Sequence, residues 1–224
     1  MARTGVVGAV AAIGLAFAVS QADAVTYGFG GITGNSAVDT AIGEAQLFVD
    51  VTDAGGGRVS FYFYNTGPAA SSITDIYFDD GSLLAIASLI DSDDGVGGSA
   101  GVDFSTGASP PDLPGGNTAS PPFVTTAGFL ADSDAPVSSN GINPDEYLYI
   151  IFSLQGSQTF NDVINELAAA TLRIGIHVQA FASGGSESFI NGPTPVPLPA
   201  ALPLFATALA GGGLLSWRRR RKAA

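Results

Sequence analysis

The sequence predicts a mostly β protein: an antiparallel β-sandwich, jelly-roll-like, with one short helix, carried between an N-terminal signal peptide and a C-terminal transmembrane tail. Three observations predict it. Short runs with strict two-residue alternation recur through the middle of the chain, where a pleated strand puts successive side chains on opposite faces. Clusters of Gly, Pro, Asn and Asp punctuate those runs. The cations are exported to the tips: of 8 Lys and Arg among 224 residues, five stand together at Arg218, Arg219, Arg220, Arg221 and Lys222, and a sixth is Arg3.

Composition narrows the function classes. The chain has no Cys, which excludes a disulfide framework, a thiolate metal site and a thiol nucleophile. Between Val25 and Asn191 only Arg58 and Arg173 face 19 of the 20 acids, a balance of 2 − 19 = −17. Such a body has no basic surface to neutralise phosphates, so no nucleic-acid partner is expected. A hydrophobic fraction of 46% is too high for a disordered chain.

From the amino end, Arg3 and the apolar run Val6 to Val19 lead to Ser20-Gln21-Ala22-Asp23-Ala24. A cation, an apolar stretch and a small-x-small site (Ala22, Ala24) read as a signal peptide over 1–24, with signal peptidase as the processing partner. The body, 25–192, is long enough to bury roughly 70% of its unfolded surface around one core. Its first clear strands are Gln46 to Val51 and Arg58 to Tyr64, joined through Gly55-Gly56-Gly57 into an antiparallel hairpin. Runs at Ile73–Phe78, Leu83–Ile90 and Glu146–Leu154 follow, and Leu172–Phe181 has the cleanest period, with Arg173, His177 and Gln179 on its second face. A helix is predicted over 159–170, started by Thr159 with Asp162 in its first turn. The segment 105–145 holds seven of the 13 prolines and reads as a long surface loop, pinned by Phe123, Val124, Phe129 and Leu130.

The carboxyl end, 193–224, has three parts. Pro193 to Pro199 alternates proline and stays extended and solvated. Ala200 to Trp217 is eighteen residues without a charge, about 27 Å if helical at about 1.5 Å per residue. The Arg218–Lys222 block then holds that end on the cytoplasmic side. A proline motif Val196-Pro197-Leu198-Pro199-Ala200, a short apolar span at 200–217 and a terminal arginine block together resemble the PEP-CTERM protein-sorting domain of the VPxPA type. The stretches 64–90 and 173–191 also resemble a recurring body type among proteins carrying that domain, one without an assigned activity. The resemblance implies an exported protein of a Gram-negative bacterium, anchored transiently in the inner membrane and cleaved near the proline motif by an exosortase-type membrane protease. It further implies a mature form at the outer cell surface or in the extracellular matrix, associated with exopolysaccharide or biofilm.

Catalysis is not expected. His177 is the single imidazole, and on a strand beside Arg173 and Gln179 it reads as a surface residue. Two other features carry chemistry, each with two readings. Asp91-Ser92-Asp93-Asp94-Gly95, with Asp103, supplies the oxygen ligands and the glycine a calcium loop uses (Asp91, Asp93, Asp94 and Asp103 as ligands), or else forms a solvated acidic turn. Tyr62, Tyr64, Tyr147 and Tyr149 alternate on their strands, either as a sugar-stacking face or as packing. The expected function is that of an exported structural or interaction protein, with a carbohydrate-binding module, calcium-dependent or not, as the alternative and an extracellular hydrolase as the next.

Overall fold

The computed structural model describes residues 24–79, the backbone of 84–90, and residues 99–126 and 129–193. The signal peptide up to Asp23, the sorting motif, the apolar span with its arginine block, and Asp91, Asp93 and Asp94 lie outside the described residues.

Among the described residues ten strands form one continuous antiparallel sheet. They are β1 (Val25–Gly31), β2 (Leu47–Asp53), β3 (Arg58–Asn65), β4 (Ser72–Asp79), β5 (Leu84–Ile90), β6 (Phe104–Thr106), β7 (Leu130–Ser133), β8 (Tyr147–Leu154), β9 (Arg173–Gln179) and β10 (Glu187–Asn191). Their order is β5-β8-β3-β2-β1-β10-β9-β4-β7-β6. The six runs expected from alternation are β2, β3, β4, β5, β8 and β9; β1, β6, β7 and β10 are additional. β1 is the seam: Val25 to Gly28 pair with β2, and Phe29 to Gly31 pair with β10. Both halves therefore share one strand, and the sheet curls around it.

The core sits inside the curl. Phe61 and Phe63 of β3 and Phe152 of β8 meet Phe78 of β4 edge to face, with ring centroids 5.2, 6.3 and 4.7 Å apart. All four rings are buried, together with Tyr27, Leu47, Val49, Ile76, Ile174 and Ile176. Edge-to-face contact suits the ring quadrupoles and adds to the burial of large apolar area. The β2–β3 hairpin turns where expected, and Gly55, Gly56 and Gly57 all take positive φ (72°, 63° and 71°), a backbone that side-chain-bearing residues avoid. Strand β9 ends at Gln179, because Ala180 takes φ 55° and turns outward, exposed, instead of continuing the inward face.

Among the described residues three α-helices, not one, accompany the sheet: α1 (Ala37–Gln46), α2 (Val137–Asn140) and α3 (Phe160–Ala169). Helix α3 matches expectation; the Thr159 N–H and hydroxyl both donate to Asp162 at 2.7 Å, and those bonds hold the Asp162 carboxyl below its ordinary range. Helix α1 was not expected. Ser36 caps it by accepting the Asp39 N–H at 3.2 Å. It rests on β10 through Gly43, where a Cβ would collide with the Phe189 ring. The fully buried Glu187 carboxylate accepts the Thr33 hydroxyl and the Ser36 N–H, tying the approach to α1 onto β10.

The proline-rich stretch 105–145 is not a single loop. Residues 107–126 cover the outer face of the β10-β9-β4 half, and the chain then re-enters the sheet as β7. Leu113 and Phe123 are buried against Tyr77 on that outer face. Gly175 leaves room for both; a Cβ there would lie 2.6 Å from Leu113 Cδ2. Arg173 completes the fastening: it donates to the carbonyls of Pro121 and Pro122 at 2.6 Å, pairs with Asp79 and lies 5.3 Å above the Phe123 ring. Of the four expected pins, Phe123 is buried and Phe129 and Leu130 are half-buried, but Val124 is 66% exposed. Its own N–H donates to Asp79, so the backbone is held and the side chain points away.

Candidate ligand-contacting surface

Alternation dictates the outer face of the β2-β3-β8 half. On β2, Leu47, Val49 and Val51 go into the core, leaving Phe48 and Asp50 outside. On β3, Phe61 and Phe63 go in and Tyr62 and Tyr64 face out; on β8, Leu148 and Ile150 go in and Tyr147 and Tyr149 face out. Register then aligns them in two rows across the strands, Phe48–Tyr64–Tyr147 and Asp50–Tyr62–Tyr149.

The result is a continuous patch of five half-buried rings. Tyr62 is its hub, with centroids 5.2 Å from Tyr64, 5.1 Å from Tyr147 and 4.7 Å from Tyr149. Phe48 extends the patch from Tyr64 at 5.6 Å. Several ring faces are spent on one another, which is the packing role expected for cross-strand aromatic pairs. What remains for a ligand is ring edges, partial faces and phenol hydroxyls. Asp50 anchors one flank; it accepts the Thr26 hydroxyl at 2.6 Å and the Tyr64 hydroxyl at 3.4 Å. Burial, reinforced by the charge of Asp50, pushes the Tyr64 phenol up to about 12. Burial also raises Tyr62 and Tyr149. Tyr62, Tyr64 and Tyr149 therefore stay protonated and donate hydrogen bonds throughout the neutral range. The chemistry available is recognition of hydroxyl-rich ligands.

The other candidates are scattered. Asp103 is half-buried at the start of β6, its N–H donating to the Asn140 carbonyl and its carbonyl accepting the Asp134 N–H, each at 2.9 Å. Its proposed calcium co-ligands Asp91, Asp93 and Asp94 lie outside the described residues, among which no group of three or more His, Asp or Glu is arranged to hold a metal ion. His177 lies on β9, half-buried, with Nδ1 3.1 Å from the Oγ of the fully buried Ser188. Burial lowers its pKa. A Gly-x-Ser-x-Gly pattern, passed over in reading the sequence, does occur at 97–101; its Ser99 hydroxyl accepts the Tyr147 N–H at 2.9 Å and so serves β8. The structure does not bring Ser99 to His177, and the two side chains bond to different strands.

Sequence reading also missed Asp75. It is only 3% exposed on β4, in register with Asp132 of β7 on one side and His177 of β9 on the other. Desolvation and the neighbouring Asp132 raise its carboxyl to about 7, against the hydrogen bond from Thr74. Only the pairing of β4 with β7, residues more than fifty positions apart, creates this meeting, and neither aspartate announces it alone. Compared with protein-family models, with curated proteins and with solved structures, the chain has no match.

Proposed function

We propose that this chain is an exported, envelope-associated interaction protein whose tyrosine face contacts a polysaccharide. The observation that carries the reading is the patch of five rings with Asp50 at its flank, on a rigid three-strand platform. The exposed parts of the aromatic faces pair with the C–H faces of sugars, while phenol hydroxyls and a carboxylate bond their hydroxyl groups. The charge balance selects among glycans. A body at −17 repels polyanions, and Arg173 is already committed to Asp79 and two carbonyls. An uncharged polysaccharide is therefore the favoured partner.

The tail supports the rest of the reading. The signal peptide at 1–24 and the tail at 193–224 assign export through signal peptidase, arrest in the inner membrane by Arg218–Lys222, and exosortase-type cleavage near Val196–Ala200. Among the described residues no helix is long and apolar enough to cross a membrane, and the apolar span 200–217 lies outside them. We read the curled sheet as a jelly-roll-like β-sandwich, a reading supported by the nested pairings β1–β10, β3–β8 and β4–β7.

Binding of the mature chain to a panel of neutral and acidic exopolysaccharides tests the central contact. Replacing Tyr62 and Tyr149 together with Ala is expected to weaken the best neutral ligand about tenfold, from the loss of roughly 1 kcal/mol or less per ring. An unchanged affinity in a variant that still melts cooperatively, or a preference for acidic over neutral chains, contradicts the reading.

A further inference from the structure

We infer that Asp75 and Asp132 form a proton-sharing latch that holds the β6–β7 edge and the adjoining cover closed, and that the latch loosens as pH rises from the acid range towards neutrality. Three features of the geometry carry this. The two aspartates are direct cross-strand partners, and Asp75 is buried. The strand they fasten is weakly held: β7 has four residues and pairs with β4 only at Asp132, Ala131 and Leu130, while the outermost β6 has three residues. The cover also hangs from the same strand, since the Tyr77 hydroxyl, two residues along β4, donates to the Pro110 carbonyl at 3.0 Å.

Two carboxylates this close are stable when one proton lies between them, and repel when both ionise. The groups facing Asp75 offer no cation to relieve that repulsion. On its own strand are Thr74, whose hydroxyl donates to Asp75 at 2.8 Å, and Tyr77. From β7 comes Asp132, and from β9 His177, which burial keeps neutral at neutral pH. From the cover Asp112 adds another negative charge near Tyr77. Beyond Asp132, Ser105 of β6 donates to Asp134 at 2.8 Å. A carboxyl whose folded pKa lies above its unfolded value gives stability that is complete in acid. That stability is complete below the unfolded value, 3.8, and is lost progressively as pH rises to the folded value, about 7 for Asp75, above which it changes no further. A histidine switch would act in the opposite sense, opening on acidification.

Amide hydrogen exchange of the full-length chain between pH 5.5 and 8.5, corrected for intrinsic exchange, tests the latch. Protection of 104–107 and 130–133 is expected to fall at least tenfold across that range, while the β2–β3 hairpin changes less than twofold. Asp75→Asn or Asp132→Asn, either one sufficing if the other fails to fold, is expected to abolish the dependence; His177→Gln is expected to leave it intact. Protection that is flat with pH, a slope that survives whichever aspartate variant folds, or loosening on acidification that His177→Gln removes, overturns the inference.

Discussion

Replacing Phe78 with alanine is expected to destabilise the protein by about 3–5 kcal/mol, the range for emptying a fully buried aromatic site. Phe78 projects from β4 into the curl, where it meets Phe61 and Phe63 of β3 and Phe152 of β8. No backbone hydrogen bond joins β4 to β3 or β8; β4 pairs with β7 and β9. The two arms of the sheet are thus held face to face by side chains, with Phe78 at the centre. Removing it leaves a cavity lined by rigid rings that cannot easily collapse. Against a typical domain stability of about 5–15 kcal/mol, the loss is a large fraction. Urea unfolding checks it, and a loss below about 1 kcal/mol would mean the arms do not depend on this contact.

Gly43→Ala should also destabilise, by about 1–3 kcal/mol, although the usual sign is the reverse. In a helix interior Ala is favoured over Gly by roughly 0.5–1 kcal/mol. Here an added Cβ would run into the ring of Phe189, which is fully buried beneath α1. Either the ring leaves its rotamer or the helix lifts from β10, and overpacking of this kind outweighs propensity. Lifting α1 also strains the Thr33 and Ser36 bonds to Glu187. Thermal unfolding reads the change, and a raised melting temperature would show that α1 does not sit on β10 through Gly43.

These two sites also mark what was legible in the sequence. Period-2 alternation identified six strands and the faces of β2, β3 and β8, because one side of each is buried and the other is not. It therefore placed Tyr62, Tyr64, Tyr147 and Tyr149 on alternating positions, and register alone was needed to bring them together with Phe48 and Asp50. Strand β4 was recognised, but its outer residues Asp75 and Tyr77 are buried too, under the cover, which no alternation reveals. Strand β1 escaped because Gly28, Gly30 and Gly31, poor strand formers, surround its alternating Val25, Tyr27 and Phe29, and β10 because it is short and polar: Glu187, Ser188 and Asn191 are buried through hydrogen bonds rather than hydrophobicity. Helix α1 carries a glycine that looks unfavourable until Phe189 is seen beneath it. Alternation placed Arg173 on the second face of its strand and no more; there it clamps the proline-rich cover through backbone carbonyls, partners no side-chain pattern discloses. The carboxylate latch depends on a contact between distant strands and was illegible for the same reason.

On the reading proposed above, the acidic body with its aromatic face resides outside the cytoplasm, delivered there by ends that are then removed. Intact-mass and peptide mass spectrometry of the chain recovered from its native envelope test that most directly. The expected molecule starts at or next to Val25 and stops close to the Val196–Ala200 motif, lacking the arginine block. Recovery of an unprocessed chain from the cytosol, running from Met1 to Ala224, would contradict it.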